Sequence, residues 1–399
     1  MTAMEKKDKN LNVPNLRFPE FSGEWEKYSL GEIGHTSIGL TYSPADVVKE
    51  DGTIVLRSSN IQDGEIDYKD LVRVNKKIKD SLFTKKDDIL ICARNGSSRL
   101  IGKNALISDV DAGHSYGAFM MVYRSEDNRF IRQLLCTKRY FAQVGENLGA
   151  RINQITTSDM NSFEFFFPQS KEERNKIALF LRIIDERIST QKKIIEDLKK
   201  LKDAITHSHY RNELSHSPMV YIGQYITQVS KRNKDAKIDR VLSVSNKYGF
   251  INQDEQFEDR EVASADTSNY KVVHKGDFAY NPARINVGSV ARLQEFENGI
   301  VSPMYVCFTA KKGLLPAYFE LYLCTSIFKH EMNKRLEGSV RLCLTYESLC
   351  NIKIALPEIN VQKDFVSKVS TILTQISAEE RLLYLYHNCK QYFLSQMFI

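Results

Sequence analysis

The chain has 399 residues and a formal net charge of +6, from 56 basic and 50 acidic side chains. Its length exceeds the roughly 250 to 300 residues at which one hydrophobic core stops growing, so two or three domains are expected. Hydrophobic residues at 42% and charged residues at 27% exclude a disordered chain or a fibre, and with no run of about 18 apolar residues no membrane span is expected.

The first segment, MTAMEKKDKNLNVPN, is polar and lacks the apolar stretch of a secretory signal, so a cytoplasmic location is expected. Short runs of strand character follow: TIVLRSSNI, DDILICA, ALISDV, FMMVYRS and FEFFFP, with RFIRQLLCTKRYFAQVGEN reading as a helix among them. After Pro168 comes a long helical stripe, Ile177, Leu181, Ile184, Ile188, Gln191, Ile195 and Leu198, in alternating steps of four and three. The polar stretch HSHYRNELSHSPMV then reads as a linker into a second series of strands, RVLSVSN, GDFAYNP, VARLQEF, MYVCFTA and IKIALP, with the helix AYFELYLCTSIFKHEMNKRL. Pro357 opens a second stripe, Phe365, Val369, Ile372, Ile376, Glu379, Leu383, Tyr386 and Phe393, on the same grid. Seven scattered cysteines without a C-x-x-C step read as reduced, mostly buried thiols.

The second half repeats the first. GARINQITTSDMNSFEFFFP (Gly149 to Pro168) has the grammar of GSVRLCLTYESLCNIKIALP (Gly338 to Pro357), with Gly149, Thr156 and Pro168 recurring 189 residues later as Gly338, Thr345 and Pro357. Asp88 recurs at the same offset as Asp277, Leu135-Cys136-Thr137 returns as Leu323-Cys324-Thr325, and Ser59-Asn60 matches Ser245-Asn246. Six matches in one order imply two diverged copies of one α+β domain. The first helix, from about Lys171 to His209, carries the chain roughly 55 to 60 Å. The second can bury its stripe on the first only by running back. The expected architecture is therefore two pseudo-repeated α/β domains, 1–168 and 216–357, separated by two long antiparallel helices, 169–215 and 358–399, as a coiled coil with a pseudo-two-fold axis.

Catalytic machinery is hard to find. There is no G-x-x-x-x-G-K-[ST] or G-x-G-x-x-G turn, and Asn281-Pro282-Ala283-Arg284 lacks the second proline and the aromatic of an adenine-methyltransferase N-P-P-[YF] element. His207, His209 and His216 read as solvated residues at a helix end, and Asp88 and Asp277 as turn-shaping residues, so no metal or catalytic residue is expected. The loops, by contrast, have the composition of base readers: Arg or Lys for guanine, Asn or Gln for adenine. In the first half these are Arg57, Asn60, Arg94, Asn95, Arg99, Arg151, Asn153 and Gln154; in the second, Asn246, Lys247, Asn281, Arg284, Asn286 and Arg341. A scaffold kept while its tips change suits two readers of two different DNA sequences, with phosphate contacts supplying affinity and base edges discrimination.

The whole chain resembles the specificity subunit of type I restriction-modification enzymes. Pro168 and KEERNKIALFLRIIDERI carry the most specific likeness, with Glu172, Ile177, Ala178, Leu181, Asp185 and Ile188 at the family's helix-start positions; WEKYSLGEIG (Trp25 to Gly34) and the weaker YIGQYI resemble its domain openings. The second proline is followed by EINVQKDFVSKVSTIL, which departs from the acidic and Asp positions. The resemblance implies a non-catalytic subunit that binds double-stranded DNA and holds two modification subunits, and through them two restriction subunits. It also implies no cofactor on this chain, with S-adenosylmethionine, ATP and magnesium on the partners. A type IIB-like recognition subunit is a close alternative, a coiled-coil adaptor without a DNA role is another, and a stand-alone enzyme is the third.

Overall fold

The computed structural model describes residues 12–148, 153–253, 267–338 and 341–399. They form two units, one comprising Met1–Gln191 with Leu382–Ile399, the other Lys192–Arg381.

In the first unit, the strand Ile89–Cys92 is buried throughout and sits inside an antiparallel sheet ordered His35–Ile38, Met120–Arg124, Ile89–Cys92, Asn104–Leu106. A second sheet is ordered Ser115–Tyr116, Thr53–Leu56, Val72–Val74, Val47–Val48, and its first pair is parallel. The second unit repeats the first sheet strand for strand, as Ile226–Val229, Val306–Ala310, Phe278–Tyr280, Val290–Arg292. It also keeps the parallel pair, with Val241 opposite Ile300 where the first unit has Val55 opposite Ser115. Each unit is closed by strands distant in sequence: Glu26–Ser29 against Glu164–Phe167, and Met219–Tyr221 against Lys353–Ala355.

The recurring sequence landmarks are caps. Thr156 accepts a hydrogen bond from Asp159 N at 3.1 Å and starts the helix Thr157–Ser162; Thr345 accepts from Ser348 N at 3.1 Å and starts Tyr346–Cys350. Asp88 and Asp277 each accept a backbone N–H three residues back, from Lys85 and His274, at 2.8 Å, which fixes the turn entering the strand. The Leu-Cys-Thr tripeptide corrects an expectation. Each presumed single helix is two, Asn128–Leu134 with Lys138–Leu148 and Pro316–Leu323 with Ser326–Asn333. The threonine makes the break: Thr137 and Thr325 each donate to the carbonyl three residues back at 2.7 Å and accept the N–H of Tyr140 or Phe328.

The long helices are Lys171–His216 and Ile359–Gln396. The first runs seven residues beyond the expected His209, because Tyr210 is buried against Tyr318 and Tyr322 and nothing interrupts the helix before Pro218. Its start is fixed by Ser170, whose Oγ accepts from Glu173 N at 3.1 Å. Glu173, rather than the exposed Glu172, is the buried acid, bound twice by Arg17 at 2.7 Å. Gln362, 189 residues on, is equally buried and holds the carbonyls of Gly313 and Pro357 and the N–H of Leu315.

Every position on the two grids is buried or half-buried. Within the first unit the helices run antiparallel: Phe180 meets Phe393 edge-on at 4.8 Å, Lys390 pairs with Asp185, and Arg187 donates to Tyr386 Oη at 3.0 Å. Within the second, Lys199 pairs with Glu380 at 2.6 Å and His209 stacks on Phe365 at 3.7 Å. The chain's last turn enters the first unit's core, where Phe398 packs on Trp25 and Phe130 beside Leu394 and Met397. No helix among the described residues is long and apolar enough to cross a membrane. Cys92 and Cys307 are buried, but Cys324 and Cys389 are exposed, so the expectation of mostly buried thiols holds for a minority.

Candidate nucleic-acid interface

Three segments meet at one edge of the first unit. The strand Thr53–Leu56 runs into a tight turn at Ser58–Asn60, and Ile89–Cys92 runs into the loop 94–99; Asn95 Nδ2 donates to Ser58 Oγ at 2.8 Å and joins them. The third segment is Asn153–Gln154. Asn153 donates through Nδ2 to Gly96 O at 3.0 Å, its own carbonyl accepts from Asn95 N, and Gln154 bridges Arg94. Asn153 has φ 48°, a left-handed conformation that asparagine tolerates better than most residues. Arg151 lies outside the described residues.

The fold has already used several of these side chains. Asn60 is fully buried: its Oδ1 accepts from Arg57 N at 2.9 Å, and its Nδ2 donates to Asp67 O and Asp70 O at 2.9 Å. It therefore ties the loop together and is withdrawn as a base reader. Arg57 is half-buried and paired with Asp70 at 2.8 Å. Asn95 spends its oxygen on Ser97 N at 3.0 Å. Arg94 and Arg99 are exposed and Gln154 half-exposed, and among the described residues their side chains make no hydrogen bond or ion pair. The Arg94 guanidinium lies 5.2 Å from the centre of the Phe119 ring.

The second unit assembles the corresponding edge. Asn246 and Lys247 occupy the turn between Val241–Ser245 and Gly249–Asn252; Asn246 reaches Val287 O at 3.4 Å, and the Lys247 ammonium lies 4.8 Å over the Tyr248 ring. Asn281 accepts from Ala283 N at 3.1 Å and so shapes its turn. Arg284 builds the next turn with its carbonyl, which accepts from Val287 N and Ser289 N at 3.1 Å, while its side chain and that of Asn286 are exposed. Leu344 N donates to Pro282 O at 3.1 Å, the backbones of Glu337 and Cys343 pair, and Arg341 nearby is exposed. Gly338 is required where it stands: φ is +122°, and a Cβ there would stand 2.3 Å from Arg341 O.

Five cations thus remain without a carboxylate partner among the described residues, Arg94 and Arg99 on one unit and Lys247, Arg284 and Arg341 on the other. The Tyr248 hydroxyl beside Lys247 raises its pKa above the ordinary value, so it stays charged. Such groups bind phosphates, and arginine can also take guanine O6 and N7 together.

Residues 22–200 match the family described as "Type I restriction modification DNA specificity domain". This segment is similar to type I DNA specificity domains. The chain is 22% identical over 377 residues to the EcoKI specificity subunit of Escherichia coli (strain K12), spanning 86% of this chain and 81% of that one. It is 26% identical over 178 residues to the StySPI specificity subunit of Salmonella potsdam, 42% of this chain and 38% of that one. Among solved structures, the type I restriction-modification S subunit of M. genitalium superposes with a TM-score of 0.57 at 16% identity, covering 97% of this chain and 99% of that one, which shows a shared fold. A chain from a type I system described in terms of complex assembly and conformational transition gives 0.51 at 13%, covering 94% and 97%.

In this segment, and in the unit that repeats it, two residues at the candidate edge escaped the sequence reading. Phe119 and Met304 are 57% and 62% exposed at the tips that adjoin Arg94 and Asn281. Only the strand register identifies them as equivalents. His216 is exposed at the helix end as expected, but His209 differs. His209 is half-buried, stacked on Phe365 and 3.1 Å from Tyr318 Oη, and burial pushes its pKa down. Among the described residues no three His, Cys, Asp or Glu side chains are grouped to hold a metal. Burial pushes the Cys92 thiol up to about 11 and Cys307 up to about 12, so neither is a ready nucleophile.

Proposed function

We propose that this chain is the DNA-reading subunit of a type I restriction-modification complex, non-catalytic in itself, in which each unit reads one half of an asymmetric, bipartite site. The observation that carries this reading is one scaffold with two different sets of polar side chains left unpaired among the described residues. The same antiparallel sheet and parallel strand pair present Arg94, Arg99 and Gln154 in one unit and Lys247, Arg284, Asn286 and Arg341 in the other. The long helices would dock two modification subunits and set the spacing of the half-sites, with two restriction subunits bound through them. Large apolar residues left exposed on the first helix support docking, with Leu179 and Ile183 one turn apart and Leu201 further on. S-adenosylmethionine, ATP and magnesium then belong to the partners.

The test is a map of modified adenines in DNA from a host without other methyltransferases, co-expressing this chain with its modification subunit. A single split motif is expected, and an active complex that leaves no such motif refutes the reading. Exchanging residues 1–168 for another first domain should change one half of the motif only. Inserting one turn into the first helix should change the spacer.

A further inference from the structure

The tips bearing Phe119 and Met304 are the same turn built twice. Met120 N donates to Gly117 O at 2.8 Å and Tyr305 N to Ser302 O at 3.1 Å, which places Phe119 and Met304 at the third position of equivalent four-residue turns. Strand register agrees: Met120 faces Cys92 and Val306 faces Tyr280, so both turns lead into the strand beside the central one. Turn tips favour Asn, Asp and Gly at that position, and a large apolar side chain there gains nothing for the fold. A single exposed apolar residue needs no explanation. Two at equivalent turns, each touching a residue of the polar reading edge, do.

The backbone under Phe119 is held firmly. Ala93 N and Arg94 N both donate to Phe119 O, at 2.9 and 3.0 Å, so the ring and the guanidinium above it are presented together. In the second unit Asn281 Nδ2 lies 3.8 Å from Met304 Sδ. An apolar group fixed beside a guanine- or adenine-reading side chain meets, in the major groove, one apolar feature of base edges: the C5 methyl of thymine.

Resting on the DNA-reading role above, we propose that Phe119 and Met304 are specificity-determining residues, each packing on a thymine methyl in its own half-site. The probe is duplex DNA carrying the mapped motif, with each thymine replaced in turn by deoxyuridine, which removes only that methyl. Binding is measured for the assembled complex with wild-type chain, Phe119→Ala and Met304→Ala. One thymine in the first unit's half-site should matter to the wild type by about fourfold, the equivalent of about 0.8 kcal/mol for one buried methyl. The same replacement should leave Phe119→Ala unaffected, and Met304→Ala should lose a methyl dependence in the other half-site only. If the wild type binds its motif but no methyl effect disappears with either variant, this inference is overturned while the DNA-reading role stands. Weaker variants with unchanged methyl effects, and a rise in 2-aminopurine fluorescence lost on mutation, would mean a wedge between bases and would equally overturn it. A complex that binds no motif removes both readings.

Discussion

Replacing Asn60 by alanine separates the residue that builds this loop from the side chains proposed to read DNA. The side chain is fully buried and makes three bonds to main chain, from Arg57 N and to Asp67 O and Asp70 O. Alanine leaves those three groups unpaired in the folded unit. At about 1 kcal/mol net for each bond, Asn60→Ala should destabilise the first unit by about 3 kcal/mol. The chain's one tryptophan, Trp25, is buried in that unit, so its fluorescence reports that transition selectively. With a urea slope of about 2 kcal/mol/M, the Trp25 midpoint should fall by about 1.5 M. Arg94→Ala, whose side chain makes no hydrogen bond or ion pair among the described residues, should move it by less than about 0.3 M and weaken DNA binding instead. An Asn60→Ala protein with an unchanged midpoint and no DNA binding would refute the assignment.

Phe398→Ala should cost the first unit about 3 to 5 kcal/mol, seen in the same Trp25 transition although the residue lies at the far end of the sequence; an unchanged midpoint would remove the last turn from that core. His209 has a folded pKa depressed below 6.5 by burial, so the unfolded chain takes up the proton first. Stability of the second unit should therefore be complete above about pH 6.5 and fall as pH drops from there through the folded pKa, and His209→Phe, which keeps a ring on Phe365, should flatten that slope in a tyrosine-monitored melt. Arg94→Ala and Arg341→Ala should each relax base preference in a different half of the motif at a cost of about 1 to 3 kcal/mol; uniform weakening across all sequences, with the salt slope reduced by about one, would make that residue a phosphate contact.

Features written locally were legible in the chain. The helical grids needed only 3.5-residue spacing, and every grid position is at least half-buried. Asp88 and Asp277 were readable as turn residues because each bonds a backbone N–H three residues away. Thr137 and Thr325 recurred visibly, yet their meaning was missed: an apolar run reads straight through, and only the hydroxyl's bonds to Leu134 O and Tyr322 O show the break. Asn60 and Asn246 look alike in sequence, but one is fully buried and the other exposed. Burial depends on what packs above a turn, here Asp67 and Asp70 against Asn60.

The sequence by itself determined the repeat, the stripes that pair the long helices and the composition of the polar loops. All of these depend on contacts within a few residues or on a period along one element. Only the tertiary structure decided which loop side chains are exposed, that the last turn completes the core around Trp25, and that Phe119 and Met304 stand exposed beside Arg94 and Asn281. Those facts rest on contacts between segments far apart in sequence, and such contacts leave no local pattern to read.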